Sequence, residues 1–307
     1  MSETTTTIVK IGTRGSKLAL WQAHFLQEQL KQINIESKLT IIKTKGDQIQ
    51  HLSFDKIEGK GFFSFFFEDS LLRGDIDLAV HSMKDLPTTS PEGLVISGVS
   101  YRANPADWML IRKESVENGE DLFLKKNAVV GTSSARRKAQ LLDFRPDLQM
   151  KDIRGNVPTR IRKLQEGNFD AILLAAAGIE RLEIELDDLK VVRFHPKEFV
   201  PAPAQGVLAF QTRKDDLPTR RIVKQLHHTD VSEKTNIERK ILRLLDGGCQ
   251  LPMGAYCEKD SEGNFHVWTA MAKSWDGPLA KVQLSSSTSH KLAERVVEQL
   301  KGKLLGS

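Results

Sequence analysis

Ala128-Val129-Val130-Gly131-Thr132-Ser133-Ser134 is an apolar run closed by a small polar turn. It leads directly into Ala135-Arg136-Arg137-Lys138-Ala139-Gln140-Leu141-Leu142, whose apolar spacing is helical. An earlier stretch has the same shape: Ile8-Val9-Lys10-Ile11 stops at Gly12-Thr13-Arg14-Gly15-Ser16 and gives way to a helical pattern from Leu18-Ala19-Leu20-Trp21 to Leu30. A second pair of segments matches too. Gly74-Asp75-Ile76-Asp77-Leu78-Ala79-Val80 resembles Gly167-Asn168-Phe169-Asp170-Ala171-Ile172-Leu173, and each follows a helix-like stretch and enters a buried-looking strand. Strands alternating with helices pair through crossover connections, so two related α/β halves with mainly parallel sheets are predicted. Ligands of such sheets sit beyond the carboxyl ends of the strands, where helix N-termini point, and a cleft between the halves is expected.

After Pro201-Ala202-Pro203-Ala204-Gln205-Gly206 the pattern changes. Helices are predicted from about Thr219 to His227 and from Glu233 to Leu245. Strands are predicted over Gly254 to Glu258, Phe265 to Ala272 and Ala280 to Ser285, separated by turn sequences, with a closing helix from Leu292 to Leu304. This is a small α+β domain. With 307 residues, 39% hydrophobic and 28% charged, the chain is long enough to bury a substantial core in two or three domains. The net charge of +5 mildly favours anionic partners but is too small over this length to single out nucleic acid. No apolar run approaches a membrane span, and the polar start Met1-Ser2-Glu3-Thr4 lacks the regions of a secretory signal, so a cytoplasmic location without membrane association is expected. The two cysteines, Cys249 and Cys257, are too few for a disulfide framework and are not spaced like a metal or redox pair, so no metal site is expected.

Three constellations point to chemistry. At the two strand-to-helix turns, unpaired backbone N–H groups and the helix dipole favour an anion, and Arg14, Ser16, Ser134, Arg136 and Arg137 lie there. Guanidinium groups match carboxylates bidentately, so these turns, together with Arg154 and Arg160, suit a ligand carrying several carboxylates. Capped helices with solvated basic faces are the alternative. The second is His81-Ser82-Met83-Lys84-Asp85-Leu86-Pro87, following a buried-looking strand. Asp85 there is suited to act as acid, base or cation stabiliser, or else to close an ordinary turn before Pro87. His81 reads as a packed or hydrogen-bonded histidine. The third is Asp246-Gly247-Gly248-Cys249-Gln250, where two glycines end a helix and display a thiol suited to nucleophilic attack or attachment. Cys257, inside an apparent strand, reads instead as a small buried hydrophobe. His227 and His228 look like surface residues at a helix end.

Taken together, Gly12-Thr13-Arg14-Gly15-Ser16 with Leu18-Ala19-Leu20-Trp21-Gln22, His81-Ser82-Met83-Lys84-Asp85, Gly131 to Arg137, Arg154-Gly155-Asn156-Val157 and Gly247-Gly248-Cys249-Gln250 resemble the porphobilinogen deaminase (hydroxymethylbilane synthase) family, in the family's order. The likeness runs from about residue 8 to the C-terminal helix. It implies an α/β fold of three domains, the first two like periplasmic binding proteins and the third a small α+β domain. The corresponding divisions here are 1–102 plus 200–220, 103–199 and 221–307. It further implies a monomeric transferase of tetrapyrrole biosynthesis, carrying a dipyrromethane cofactor joined by a thioether to Cys249.

In such an enzyme porphobilinogen loses ammonia to give an electrophile that the terminal pyrrole attacks, until hydrolysis frees hydroxymethylbilane. By motif match Arg14, Ser16, Lys84, Thr132, Ser134, Arg136, Arg137, Arg154 and Arg160 are implied to bind carboxylates, with Lys56 and Lys60 on a nearby loop and Phe63 beside the cofactor. Gln22 and Arg181 are carried over too, and Asp85 is implied to stabilise the cation. The chain departs from the family pattern at Ser64-Phe65-Phe66-Phe67, where a Lys-Glu pair is usual, and in the variant hinge Val200 to Gly206. Two other readings stay open on the residues alone: a non-enzymatic two-domain binder of a carboxylated ligand, and a deaminase homologue impaired by Phe65-Phe66.

Overall fold

The computed structural model describes residues 8–42, 62–246 and 251–305, with the side chains of residues 62–65 outside that description. In chain order the elements are β1 (Val9–Thr13), α1 (Lys17–Gln32), β2 (Ser37–Ile41), α2 (Phe62–Leu72), β3 (Leu78–Ser82), β4 (Leu94–Val99), β5 (Asp107–Arg112), β6 (Val129–Gly131), α3 (Ala135–Phe144), β7 (Gln149–Lys151), α4 (Val157–Gln165), β8 (Ala171–Ala175), α5 (Ala176–Arg181), β9 (Leu189–Arg193), β10 (Leu208–Arg213), α6 (Leu217–Gln225), α7 (Thr229–Leu244), β11 (Met253–Lys259), β12 (Phe265–Met271), β13 (Ala280–Ser286) and α8 (Leu292–Leu305). No helix among the described residues is long and apolar enough to cross a membrane.

Two five-stranded sheets share one topology. Their orders are β2-β1-β3-β10-β4 and β7-β6-β8-β5-β9. In the first, β1 pairs parallel with β2 and β3, while β10 runs antiparallel to β3 and β4. In the second, β6 pairs parallel with β7 and β8, while β5 runs antiparallel to β8 and β9. Four strands of each sheet therefore run one way and a single strand opposes them, so the sheets are mixed within a mainly parallel frame.

The two copies agree down to single contacts. Asp77 accepts from the Lys10 backbone N–H at 3.0 Å, and Asp170 accepts from the Val129 backbone N–H at 2.8 Å. Each aspartate thus fastens the start of its central strand to the residues that follow the glycine of the matched segment. A side chain at Gly12 would collide with Ile76, and one at Gly131 would lie 2.8 Å from Phe169. Those two apolar residues occupy equivalent places in the matched segments, so both strands need glycine there for the same reason, close packing against the next strand's lead-in.

The antiparallel sheet β11-β12-β13 closes the chain. Its strands alternate buried and accessible residues, and the inward set, including Val267 and Val282, packs on Leu292, Val296 and Leu300 of α8 and on Ile241 of α7. Each such aliphatic side chain contributes about 1.5–3 kcal/mol relative to exposure. Cys257 lies in this core, 1% exposed.

The chain forms two compact units, residues 1–102 with 207–232, and residues 103–206 with 233–307. The segment 200–206, expected with the first part of the chain, falls in the second unit. Residues 221–232 fall in the first. Within the second unit Gln140 holds that segment by a two-way amide contact, its Oε1 accepting from Val200 N at 2.6 Å and its Nε2 donating to Val200 O at 2.9 Å. His227, expected at the surface, is half-buried, and its Nδ1 accepts from Val99 N at 3.3 Å.

Candidate functional site

In the first unit, β1 and β3 are parallel neighbours, so their carboxyl ends bring Arg14–Ser16 and Met83–Asp85 to one edge of the sheet. Ser16 caps α1, its Oγ accepting from Ala19 N at 3.4 Å. Gln22 is buried and donates to Ser82 Oγ at 2.9 Å, which ties α1 to the end of β3. Residues Met83–Asp85 form a single 3₁₀ turn whose Met83 is buried and whose first N–H donates to Val207 O at 2.9 Å. The anchored methionine leaves Asp85 exposed and Lys84 half-buried. Phe67 is buried with its ring edge-on to His81 at 5.3 Å, and Phe66 is half-buried.

His81 Nε2 meets Gln211 Oε1 at 3.0 Å, across the β3–β10 pair. Burial pushes its imidazole down to about 4, against the opposing effect of that hydrogen bond. The ordinary value is 6.5, so between pH 6.5 and 4 the unfolded chain takes up a proton that the folded chain refuses. The stability that depends on neutral His81 is whole above pH 6.5 and is lost as pH falls to 4. That loss is at most about 3 kcal/mol, and less to the extent that solvent reaches the half-buried ring. Urea denaturation at pH 7 and pH 4.5 should show a smaller acid loss for His81→Gln than for the parent; equal losses would refute the assignment.

In the second unit the carboxyl ends of β6, β7 and β8 lie side by side. Thr132 follows β6 and is buried, with Oγ1 accepting from Ser134 N at 3.2 Å. Ser134 caps α3, its Oγ accepting from Arg137 N at 3.4 Å. Arg154 follows β7 and is exposed, while Arg160 Nε on α4 donates to Gly155 O at 2.7 Å. Arg181, at the end of α5, donates to Gly206 O at 2.9 Å through Nη2.

Arg136 and Arg137 are turned inward. The sequence reading presents both to a ligand, whereas in the structure they converge on Asp107, which is fully buried. Arg137 donates to Asp107 Oδ1 through Nη2 at 2.6 Å and Nε at 3.2 Å, and to Leu173 O through Nη1 at 3.0 Å. Arg136 Nη1 makes a charge contact with Asp107 Oδ2 at 2.7 Å and donates to Val200 O at 2.8 Å. Gln205 Nε2 reaches Asp107 Oδ1 at 3.0 Å and Pro105 O at 2.7 Å. Burial alone would raise the Asp107 pKa, but the two guanidiniums more than offset it and hold the carboxyl below the usual carboxylate range. Burial lowers the Arg136 pKa, with Arg137 acting in the same sense and Asp107 against it.

Asp107 and the anchoring role of Gln205 are absent from the sequence reading. The available signal was an aspartate opening the otherwise apolar strand Asp107-Trp108-Met109-Leu110-Ile111. Two cations on one anion leave this cluster with a surplus positive charge, at the strand ends where an acid ligand is expected.

Cys249, Lys56, Lys60 and Phe63, with Phe65 of the variant stretch, lie outside the described residues or side chains. The elements flanking Cys249 are described. Glu238 of α7 is fully buried, with Oε1 accepting from Cys257 N at 2.8 Å and Oε2 from Ala204 N at 2.7 Å, so it joins α7, β11 and the segment 200–206.

A family model described as porphobilinogen deaminase, dipyromethane cofactor binding domain, matches residues 9–221. A porphobilinogen deaminase of Chloroherpeton thalassium is 43% identical over 273 residues, which cover 88% of this chain and 84% of that protein. A porphobilinogen deaminase of Nitratiruptor sp. is 42% identical over 296 residues, covering 94% of this chain and 92% of its own. Among solved structures, a periplasmic substrate-binding protein of an ABC transporter from Coxiella burnetii matches over 73% of this chain and 94% of its own, at 12% identity and a TM-score of 0.44.

Proposed function

From a chain that belongs to the porphobilinogen deaminase family, we propose which residues carry the family's reaction. The protein is a hydroxymethylbilane synthase, a transferase that condenses porphobilinogen with release of ammonia in tetrapyrrole biosynthesis and uses a dipyrromethane cofactor. When bound, that cofactor supplies the pyrrole on which the chain is extended. The residues suit such a group: porphobilinogen-derived rings carry acid side arms, and the Arg136–Asp107–Arg137 cluster has a surplus positive charge beside the capped start of α3. This surplus is the observation that carries the assignment.

Cys249 is proposed as the point of thioether attachment. Arg136, with Arg14, Arg154, Arg160, Arg181, Lys84, Lys56 and Lys60, is proposed to hold acid side arms, while Arg137 sets the geometry of the pair. Ser16, Thr132 and Ser134 shape the two strand-to-helix turns, where backbone N–H groups add to the grip. Gln22 steadies the end of β3, and Phe63 is proposed to flank the pyrroles. Asp85 is proposed to steady positive charge as ammonia leaves and to assist proton transfer to the leaving amine. A carboxylate prearranged where a cation develops lowers the barrier without reorganising solvent.

We also propose that the chain divides into the family's three domains, with the β11-β12-β13 sheet and α8 in the one bearing Cys249. The enzyme is proposed to act as a cytoplasmic monomer on porphobilinogen, with no nucleic-acid or membrane partner. Intact-mass measurement of purified enzyme is expected to show an adduct of two linked pyrrole units that is missing from Cys249→Ser, which also releases no ammonia from porphobilinogen. An active enzyme with the mass of bare polypeptide would overturn the assignment.

A further inference from the structure

We propose that Asp107 is a positioning residue for the substrate-binding arginines: a built-in counter-ion that reduces their pull on acid side arms so that each arm is released as the chain lengthens. This rests on the reading that Arg136 binds such arms. Asp107 is 0% exposed and both of its oxygens are engaged by guanidinium groups. Gln205, fixed in turn on Pro105 O, supplies a third, neutral donor to Oδ1.

The two arginines are not equivalent. Arg137 uses Nε, Nη1 and Nη2 on Asp107 and Leu173 O, whereas both contacts of Arg136 run through Nη1. The remaining edge of Arg136, Nε with Nη2, is thus the one left to meet an external carboxylate in the bidentate manner of guanidinium groups. That carboxylate meets a cluster of net charge +1, since Asp107 cancels one of the two cations. Charges largely removed from water interact strongly, so a cluster of charge +2 would grip the same arm far harder.

A grip of equal strength before and during reaction lowers bound states without speeding the chemistry. For a synthase that lengthens one chain over several turnovers, every condensation brings new acid arms past the same cations. Excess grip would therefore appear as slow advance. Asp107 moderates the grip and fixes which edge of Arg136 does the binding.

The test uses primer-loaded enzyme, steady-state kinetics and intact-mass time courses. Asp107→Asn is expected to lower KM for porphobilinogen about threefold and kcat about tenfold, with longer-lived species bearing added pyrrole units. Arg137→Gln should act in the opposite sense on binding, raising KM. The double variant Asp107→Asn/Arg137→Gln restores the net charge of +1 and should recover most of kcat and the parental distribution of intermediates. It also spares the fold an uncompensated buried cation, so it reports even where Asp107→Asn alone does not fold. Losses that simply add in the double variant, or a lower kcat with unchanged KM and no persisting intermediates, would overturn the proposal. Arg136→Gln tests the underlying reading separately: unchanged KM and unchanged primer occupancy there would remove the arginine assignment itself.

Discussion

Replacing Asp85 with alanine is expected to lower kcat for ammonia release by about three orders of magnitude while leaving KM within about threefold. The expectation follows from where the chain puts this carboxylate. Burial of Met83 and its hydrogen bond to Val207 O fix the 3₁₀ turn at the end of β3, and Asp85 emerges from that turn exposed. Its side chain has no ion-pair partner among the described residues, so its charge is not already cancelled by a lysine or arginine. A group placed in this way has little to do for the fold. Its loss should leave the melting temperature of the variant within about 2 °C of the parent, since surface substitutions away from special features cost at most about 0.5 kcal/mol. Asp85→Asn separates the shape of the side chain from its carboxylate chemistry: it keeps the shape but loses both the charge and the proton-accepting oxygen, and is expected to resemble alanine. A kcat within about threefold of the parent for either variant would remove Asp85 from the reaction.

The repeated strand, turn and helix was legible because the residues behind it are few and stereochemically exacting. A glycine packed on the next strand's lead-in, a serine at the helix start and an aspartate immediately before the following strand can be recognised without any knowledge of the partner strand. Direction was harder to read. β5 and β10 are the strands that oppose their neighbours, and both are largely buried, with a sequence pattern that reads the same in either orientation. The inward turn of Arg136 and Arg137 was hidden for a related reason. Their place after the Ser134 cap shows that they begin a helix, but the acid they seek opens a strand near residue 107, and only the pairing of β5 with β8 brings it to them. The geometry of a cap is local. The destination of a long side chain depends on contacts distant in sequence.

Removing the Glu238 carboxylate should damage both stability and primer attachment, with Glu238→Ala losing about 3 kcal/mol or more in urea denaturation and most of the bound primer. Its two oxygens accept from Cys257 N at 2.8 Å and Ala204 N at 2.7 Å, all within a fully buried environment. Alanine would leave two backbone N–H groups facing a small void, each at a cost of about 1–3 kcal/mol, and would add the loss of the side chain's own packing. Glutamine keeps the size but offers one acceptor oxygen and one N–H₂ group, so one backbone N–H would face another donor, and an intermediate loss is expected.

Chain order links Glu238 to Cys249. α7 ends at Leu244 and β11 starts at Met253, so Glu238 and Cys257 lie on the two elements that precede and follow Cys249 in the chain. Ala255 N also donates to Pro201 O at 3.1 Å, and a side chain at Gly254 would strike Val200 O, which shows how closely β11 is laid on the segment Glu238 holds. Since that segment is held at Val200 by Arg136 and Gln140, Glu238 ties the elements flanking Cys249, the proposed attachment residue, to the arginine pair. Intact-mass measurement on Glu238→Gln, which is expected to fold, should therefore show primer occupancy well below that of the parent. Full occupancy together with reduced stability would confine Glu238 to a structural role.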